Sequence, residues 1–227
     1  MAKSSVLSGP PPRERSETGT DARILESAIT LFAQRGFSEV TVRDIAEHAA
    51  ANPAAISYYF GAKETLIKQA IRTVVAPLNE QRLAALDALE AADKPLNPED
   101  VVRAMVEPTV RACLGGVGPE RHYARVLVLT FALRQPFVDE VMSEQTDRVA
   151  ARFVDALVAA LPDSDRATMY WRFDFMVGAL IHILLDPSRG YRLRRVSDGG
   201  ADTSDPAAVI DALVRFLTAG MLAAPGP

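Results

Sequence analysis

Between Thr41 and Lys63, in the stretch TVRDIAEHAAANPAAISYYFGAK, hydrogen-bond donors gather within a short span: Thr41, Arg43, Ser57, Tyr58, Tyr59 and Lys63. Hydroxyls, a guanidinium and an ammonium are the groups that grip phosphate oxygens, and Ser57 or Arg43 could also reach a base edge. Pro53, Ala54 and Ala55 stand just ahead of the tyrosines. Short side chains at a helix tip let the backbone approach the bases, and Ala54 or Ala55 could touch a thymine methyl. Nothing in the stretch pairs a nucleophile with a base, so the chemistry it implies is non-covalent recognition of a duplex.

Such donors need rigid elements to aim them. Thr41 can cap a helix whose third residue, Asp44, completes a capping box, and Val42, Ile45, Ala46 and Ala49 form its buried face. Asn52 is a good N-cap and Pro53 is preorganised for a first helical position, so a second helix starts there. Thr41 to Phe60 thus reads as a helix-turn-helix in which Ile45, Ala46, Ala49 and Ile56 point inward, leaving Ala54, Ala55, Ser57, Tyr58 and Tyr59 on or near the outer face. Ahead of it, Ile24, Leu25, Ala28, Leu31 and Phe32 share one face of a helix from Thr20 to Arg35, stopped by Gly36. From Gly61 a longer helix runs through Leu66, Ile67, Ala70, Ile71 and Val74 to Pro77, where it is expected to end or kink at a candidate hinge.

Apolar residues recur at three and four along almost every segment and strand-like alternation is missing, so the fold class is all-α. Further helices are expected at about Leu78–Ala91, Pro98–Leu114 with Pro108 interrupting it, Glu120–Gln135, Pro136–Leu161, Ser164–Leu185 and Asp205–Leu222. GGVG at Gly115–Gly118 follows no strand and lacks the lysine of a nucleotide loop, which makes it a helix connector. The stretch Asp186–Pro206 reads as a mobile surface loop with solvated arginines Arg189, Arg192, Arg194 and Arg195.

The 227 residues carry a formal net charge of -4, so any affinity for nucleic acid must be local. Up to Arg72 there are nine Lys or Arg against eight Asp or Glu, and the acidity lies in the remainder. The single cysteine, Cys113, rules out an internal disulfide and fits a cytoplasmic setting. The opening residues lack a secretion signal and read as a disordered arm over 1–19. The longest apolar run, Phe175 to Leu185, covers 11 residues, well short of the roughly 20 that span a bilayer.

Ile24 to Leu66, ILESAITLFAQRGFSEVTVRDIAEHAAANPAAISYYFGAKETL, closely resembles the DNA-binding domain of the TetR family of bacterial transcriptional regulators. LFAQRGF, TVRDIAEHA and the aromatic pair followed by GAKETL stand in the family's order and spacing. The resemblance implies a helix-turn-helix domain over 20–66, a helical ligand-binding and dimerisation domain over 67–227, and DNA contacts from Thr41, Arg43, Pro53, Ala54, Ser57, Tyr58, Tyr59 and Lys63. It further implies a homodimer on a palindromic operator, acting as a ligand-responsive repressor. Ala50, where the family usually has glycine, and Asn52-Pro53 depart from its pattern; alanine at positive φ costs about 1 kcal/mol. A weaker similarity in YYFGAKETLI, YARVLVLTFA and YWRFDFMVGA points to the PsrA-like branch, some of whose members sense fatty acids or their thioesters. On that footing the effector is small, hydrophobic and of fatty-acyl type.

Met169 to Leu185 is apolar almost all round and is expected to be buried on both sides. With the last helix, striped by Val209, Ile210, Leu213, Phe216 and Leu217, it should pair with the same helices of a second subunit in a four-helix bundle. Ile181, Leu184, Leu213, Phe216 and Leu217 are the expected interface. Met105, Thr109, Cys113, Leu129, Phe153, Trp171, Phe175 and Met176 are candidates for a ligand cavity, with core packing as their alternative role. Arg125 joins them, because a buried guanidinium would need an acidic partner such as Asp174, although a place on the helix surface is the competing expectation.

His48, His122 and His182 are scattered without metal-ligand spacing, and neither a metal nor a cofactor is expected. An activator of the same fold remains open. A small helical acyl-chemistry enzyme is disfavoured because Ser, His and carboxylate show no catalytic spacing and Cys113 lacks a nearby histidine. A lipid-carrier module would leave the Asn52–Lys63 surface without a purpose.

Overall fold

The computed structural model describes residues 19–115, 122–132, 135–187 and 190–223. Their regular structure is helical, joined by turns and loops, and none of the described residues lies in a strand. In chain order the elements are α1 (Thr20–Arg35), α2 (Val42–His48), α3 (Pro53–Phe60), α4 (Lys63–Glu90), α5 (Pro98–Gly115), α6 (Tyr123–Ala132), α7 (Pro136–Ala160), α8 (Arg166–Ile183), α9 (Arg192–Val196) and α10 (Pro206–Met221). No described helix is long and apolar enough to cross a membrane. The expected arm and most of the GGVG connector lie outside the described residues.

Two apolar cores stack end to end along α4. The first gathers Ile24, Phe32, Phe37, Ile45, Ile56, Leu66 and Val74 from α1–α4 and continues into Val126 of α6 and Val141 of α7. The second gathers Leu86, Val102, Phe153, Leu157, Met176, Leu180 and Val214 from α4, α5, α7, α8 and α10. The first core therefore continues beyond the boundary expected at Leu66, through α4 and onto α6 and α7.

α4 does not end at Pro77: it is one helix of 28 residues. Proline removes a backbone donor and crowds the preceding turn, but Pro77 faces solvent, where water can satisfy the freed carbonyl. Pro108 likewise lies inside a continuous α5. At about 1.5 Å per residue, α4 is a rod of roughly 42 Å. Its first half is tied to α7 by the Lys68–Glu140 ion pair and by Arg72 Nη2 to Glu144 Oε2 at 2.6 Å. Its far end is held by Arg152 of α7, which reaches both Asp87 and Glu90 at 2.7 Å.

Asp186–Pro206 differs from the expected loose loop. It contains α9, and its ends are pinned by the buried Asp186, whose carboxylate accepts from Leu193 N at 2.9 Å and from Thr203 Oγ1 at 2.6 Å. Arg192, Arg194 and Arg195 are exposed, and Arg194 faces Asp202 at 3.5 Å; Arg189 lies outside the described residues. Helix α6 is shorter than expected, since Gln135 is the N-cap of α7.

Candidate nucleic-acid interface and internal cavity

Thr41 accepts at Oγ1 from Asp44 N at 3.1 Å, while Thr41 N and Thr41 Oγ1 both donate to Asp44 Oδ2 at 2.7 Å. The capping box predicted from Thr41 and Asp44 is thus formed. Those bonds from Thr41, with Arg35 Nη2 at 3.4 Å adding to them, hold the Asp44 carboxyl down at about 2. Helix α2 ends with Ala50 at φ 47 and Ala51 N donating to Ala46 O at 2.9 Å, so the chain turns through a left-handed residue as C-caps do. Asn52 Oδ1 then accepts from Ala54 N at 2.9 Å, with Pro53 in the first turn of α3. Gly61, at φ 67, closes α3 and lets the backbone swing into α4.

This short hinge of caps holds α3 against the first core by Ile56, which is fully buried, and by Ala55, half-buried against the same cluster. The opposite side is open. Pro53, Ala54, Ser57, Tyr58 and Tyr59 are exposed, Tyr58 to 82% of its surface. Thr41 and Arg43 are exposed on the neighbouring α2 end. Lys63 is half-buried and donates weakly from Nζ to Ser38 O at 3.4 Å, so its ammonium stays at the same end of the molecule. Exposed aromatics ordinarily cost solvation. Two consecutive tyrosines on an N-capped helix whose positive end points outward form a surface suited to an anionic, flat-faced partner.

A second feature lies in the helical body, a cavity of about 400 Å³ walled by α4, α5, α6, α7 and α8. Of the nine residues expected to line it, Met105 and Thr109 do. Cys113, Phe153 and Met176 are packed into the cores, and burial pushes the Cys113 thiol up to about 12, leaving it inert. Leu129 is half-buried against the first core and Arg125 is exposed. Trp171 and Phe175 point away from the cavity and into solvent, with ring centroids 6.1 Å apart. Helix α8 is therefore buried on one side only within this chain, because its Phe173, Met176 and Leu180 already fill the inner face.

The buried guanidinium is Arg82, 9% exposed, with Asn79 beside it. Both were legible as the polar members of a stripe Val75, Leu78, Asn79, Arg82 and Leu86 along α4, a register concealed by placing a helix end at Pro77. Among the residues expected to meet a second subunit, Leu184 and Leu217 are buried in this chain's own cores, and Ile181 and Leu213 are half-buried. Phe216 is 71% exposed. The exposed stripes of α8 (Trp171, Phe175, Gly178) and α10 (Ala208, Ala212, Phe216, Ala219) are apolar, large aromatics set beside glycine and alanine.

The profile "Bacterial regulatory proteins, tetR family" matches residues 24–70, and "Tetracyclin repressor-like, C-terminal domain" matches residues 103–220, more than half of the chain. The chain belongs to the TetR family of bacterial regulatory proteins. Its helix-turn-helix is α2–α3. It is 46% identical over 55 residues to "Probable HTH-type transcriptional regulator YttP" of Bacillus subtilis (strain 168), covering 24% of this chain and 27% of that one. It is 26% identical over 142 residues to the HTH-type transcriptional regulator BetI of Rhizobium meliloti (strain 1021), covering 63% and 66%. The chain thus spans from about a quarter to just under two thirds of the length of these relatives. A solved structure of the transcriptional regulator FadR from Bacillus subtilis in complex with stearoyl-CoA superposes with a TM-score of 0.65 at 13% identity, over 87% of this chain and 97% of that one. At that identity the likeness is one of fold.

Proposed function

We propose that this TetR-family transcriptional regulator is a ligand-responsive repressor that binds a palindromic operator as a homodimer in the cytoplasm. The observation that carries the proposal is the presentation of α3: Ile56 anchors it while Ser57, Tyr58 and Tyr59 face outward beside a capped, positive helix end. In a major groove, Ala54 and Ala55 would lie nearest the base edges. Thr41, Tyr58, Tyr59 and Lys63 would grip phosphates, and Arg43 and Ser57 would have base edges or phosphates within reach.

The apolar outer stripes of α8 and α10 supply the second half of the reading. Trp171 and Phe216 are 66% and 71% exposed, and an isolated chain gains nothing by solvating them. Pairing with the same stripes of a second copy buries them in a four-helix bundle and relates two α3 helices by a twofold axis. Two reading heads about 34–36 Å apart demand an operator with the same symmetry.

The cavity supplies the switch. Leu127, Thr130 and Phe131 of α6 line it, and α6 packs on α1; Val75, Leu78, Asn79 and Arg82 line it from α4, whose other end begins just after α3. An effector that parts these walls moves α1 and α4, and hence the spacing of the heads. Typical couplings of 1–3 kcal/mol lower operator affinity about 5- to 150-fold. A small hydrophobic effector of acyl type fits the largely apolar lining.

Selection of bound fragments from random duplex DNA tests the proposal. Enrichment of an inverted repeat with half-sites about one helical turn apart supports it, together with lowered reporter transcription from a promoter carrying that repeat. Enrichment of single or direct-repeat sites, or raised transcription, contradicts it.

A further inference from the structure

Arg82 donates from Nε to Met105 O at 3.1 Å, from Nη1 to Asn79 Oδ1 at 2.9 Å and from Nη2 to Thr109 Oγ1. All three acceptors are neutral. A guanidinium offers five N–H donors, so two remain beyond these bonds. Arg72, Arg103, Arg111, Arg152 and Arg166, all more exposed, each meet a carboxylate. Arg82, the one buried cation among the described residues, meets no carboxylate there: the single titratable group acting on it is the Cys113 thiol, which stays protonated. Burial lowers the Arg82 pKa to about 10, and the side chain remains a cation at neutral pH. Folding has taken a charge out of water and left its counter-ion to come from elsewhere.

Arg82 sits in the wall of the cavity, whose volume is about 400 Å³ and whose other lining includes Val75, Leu78, Leu127, Phe173 and Val177. We propose that the cavity takes a monocarboxylic amphiphile, its carboxylate docked on Arg82 and its apolar body against the walls of α4, α6 and α8. This assignment rests on the effector-responsive reading and names the effector's chemical class. The planar guanidinium fork matches two carboxylate oxygens. One buried positive charge is balanced by one negative charge. The exposed lining carries three carboxylates, Asp139, Asp147 and Asp174, beside Phe131 and Tyr170, and they repel a doubly charged phosphate ester more strongly than a singly charged carboxylate.

Docking there also reaches the α4–α7 joint. Asn79 accepts from Arg82 and donates from Nδ2 to Gln145 O of α7 at 2.6 Å. A carboxylate on the two remaining Nη donors draws the guanidinium toward the cavity and competes with the Asn79 carbonyl oxygen, which weakens that link. The charge recognition is thereby connected to the rod that carries α3.

Isothermal calorimetry on the intact chain tests the assignment with hexanoate, decanoate and tetradecanoate, against decanol, decylamine and decyl phosphate. Decanoate is expected to bind roughly tenfold or more tightly than decanol, the increment of a charged hydrogen-bonded pair. Arg82→Met should bring the decanoate-to-decanol affinity ratio to about one, and Arg82→Lys should keep part of the preference. Equal affinities for acid and alcohol in the unmodified protein, failure of every acid to bind, or tighter binding of decylamine or decyl phosphate would overturn the assignment. If Arg82→Met fails to fold by circular dichroism, the acid-against-alcohol comparison on the unmodified protein decides alone. Acid binding without release of operator DNA leaves the ligand assignment standing and removes the effector-responsive reading.

Discussion

Tyr58 and Tyr59 stand edge to face, ring centroids 5.0 Å apart and planes at 82°, Tyr58 on the side of α3 opposite the fully buried Ile56 and Tyr59 on its flank. Consecutive helical residues diverge by about 100°, so the pair covers a broad outward sector. Tyr58→Ala with Lys63→Ala should lower operator affinity by at least about tenfold, while the melting temperature and the oligomeric state stay nearly unchanged, because Tyr58 is exposed and the half-buried Lys63 gives up only one long bond, to Ser38 O at 3.4 Å. Anisotropy titration alongside calorimetry checks this, and a parallel loss of folding would make the two side chains structural.

Ala50 adopts φ 47 at the turn between α2 and α3, a conformation glycine takes without steric cost. Ala50→Gly should stabilise the chain by up to about 1 kcal/mol, a rise of about 2–4 °C in Tm for a protein of this size. An unchanged or lowered Tm in a thermal scan would mean that the turn relaxes around the alanine.

Thr41 holds the Asp44 carboxyl at about 2, below its ordinary 3.8. Since the folded value is the lower one, the capping box contributes its full stability above about pH 4 and loses it as the pH falls toward 2. An NMR titration of the Asp44 carboxyl should show the depressed midpoint. In Thr41→Val that midpoint should return toward the ordinary value.

Trp171 and Phe216 face solvent on α8 and α10. Trp171→Glu with Phe216→Glu should yield monomers with weak operator affinity and an unimpaired helical content, as read by light scattering and circular dichroism. A dimer mass retained by the double variant would place the interface elsewhere.

Much of the architecture could be read before any coordinates. Asn52-Pro53, the Thr41 and Asp44 pair, Gly36 and Gly61 act within a few residues of themselves, so their caps and turns are local facts written locally. Pro77 misled because its penalty depends on which side of the helix it faces, and it faces water. That one error hid the stripe carrying Arg82 and Asn79. Trp171 and Phe175 were expected in the cavity because an all-round apolar helix does not reveal which face meets its own chain and which is left bare. Leu184 and Leu217 erred the other way, being absorbed by the chain's own cores. The pairing of Asp186 with Thr203 spans 17 residues and has no periodic signature at all.

The central claim is that α3 is a DNA-reading helix, and the salt dependence of binding to the selected inverted repeat tests it most directly. The account predicts that log affinity falls linearly with log salt, by about 0.9 for each phosphate neutralised, and that Lys63→Ala lowers the slope by about one. A slope near zero, or one that is unchanged by removing Lys63 and the α3 tyrosines, would contradict it.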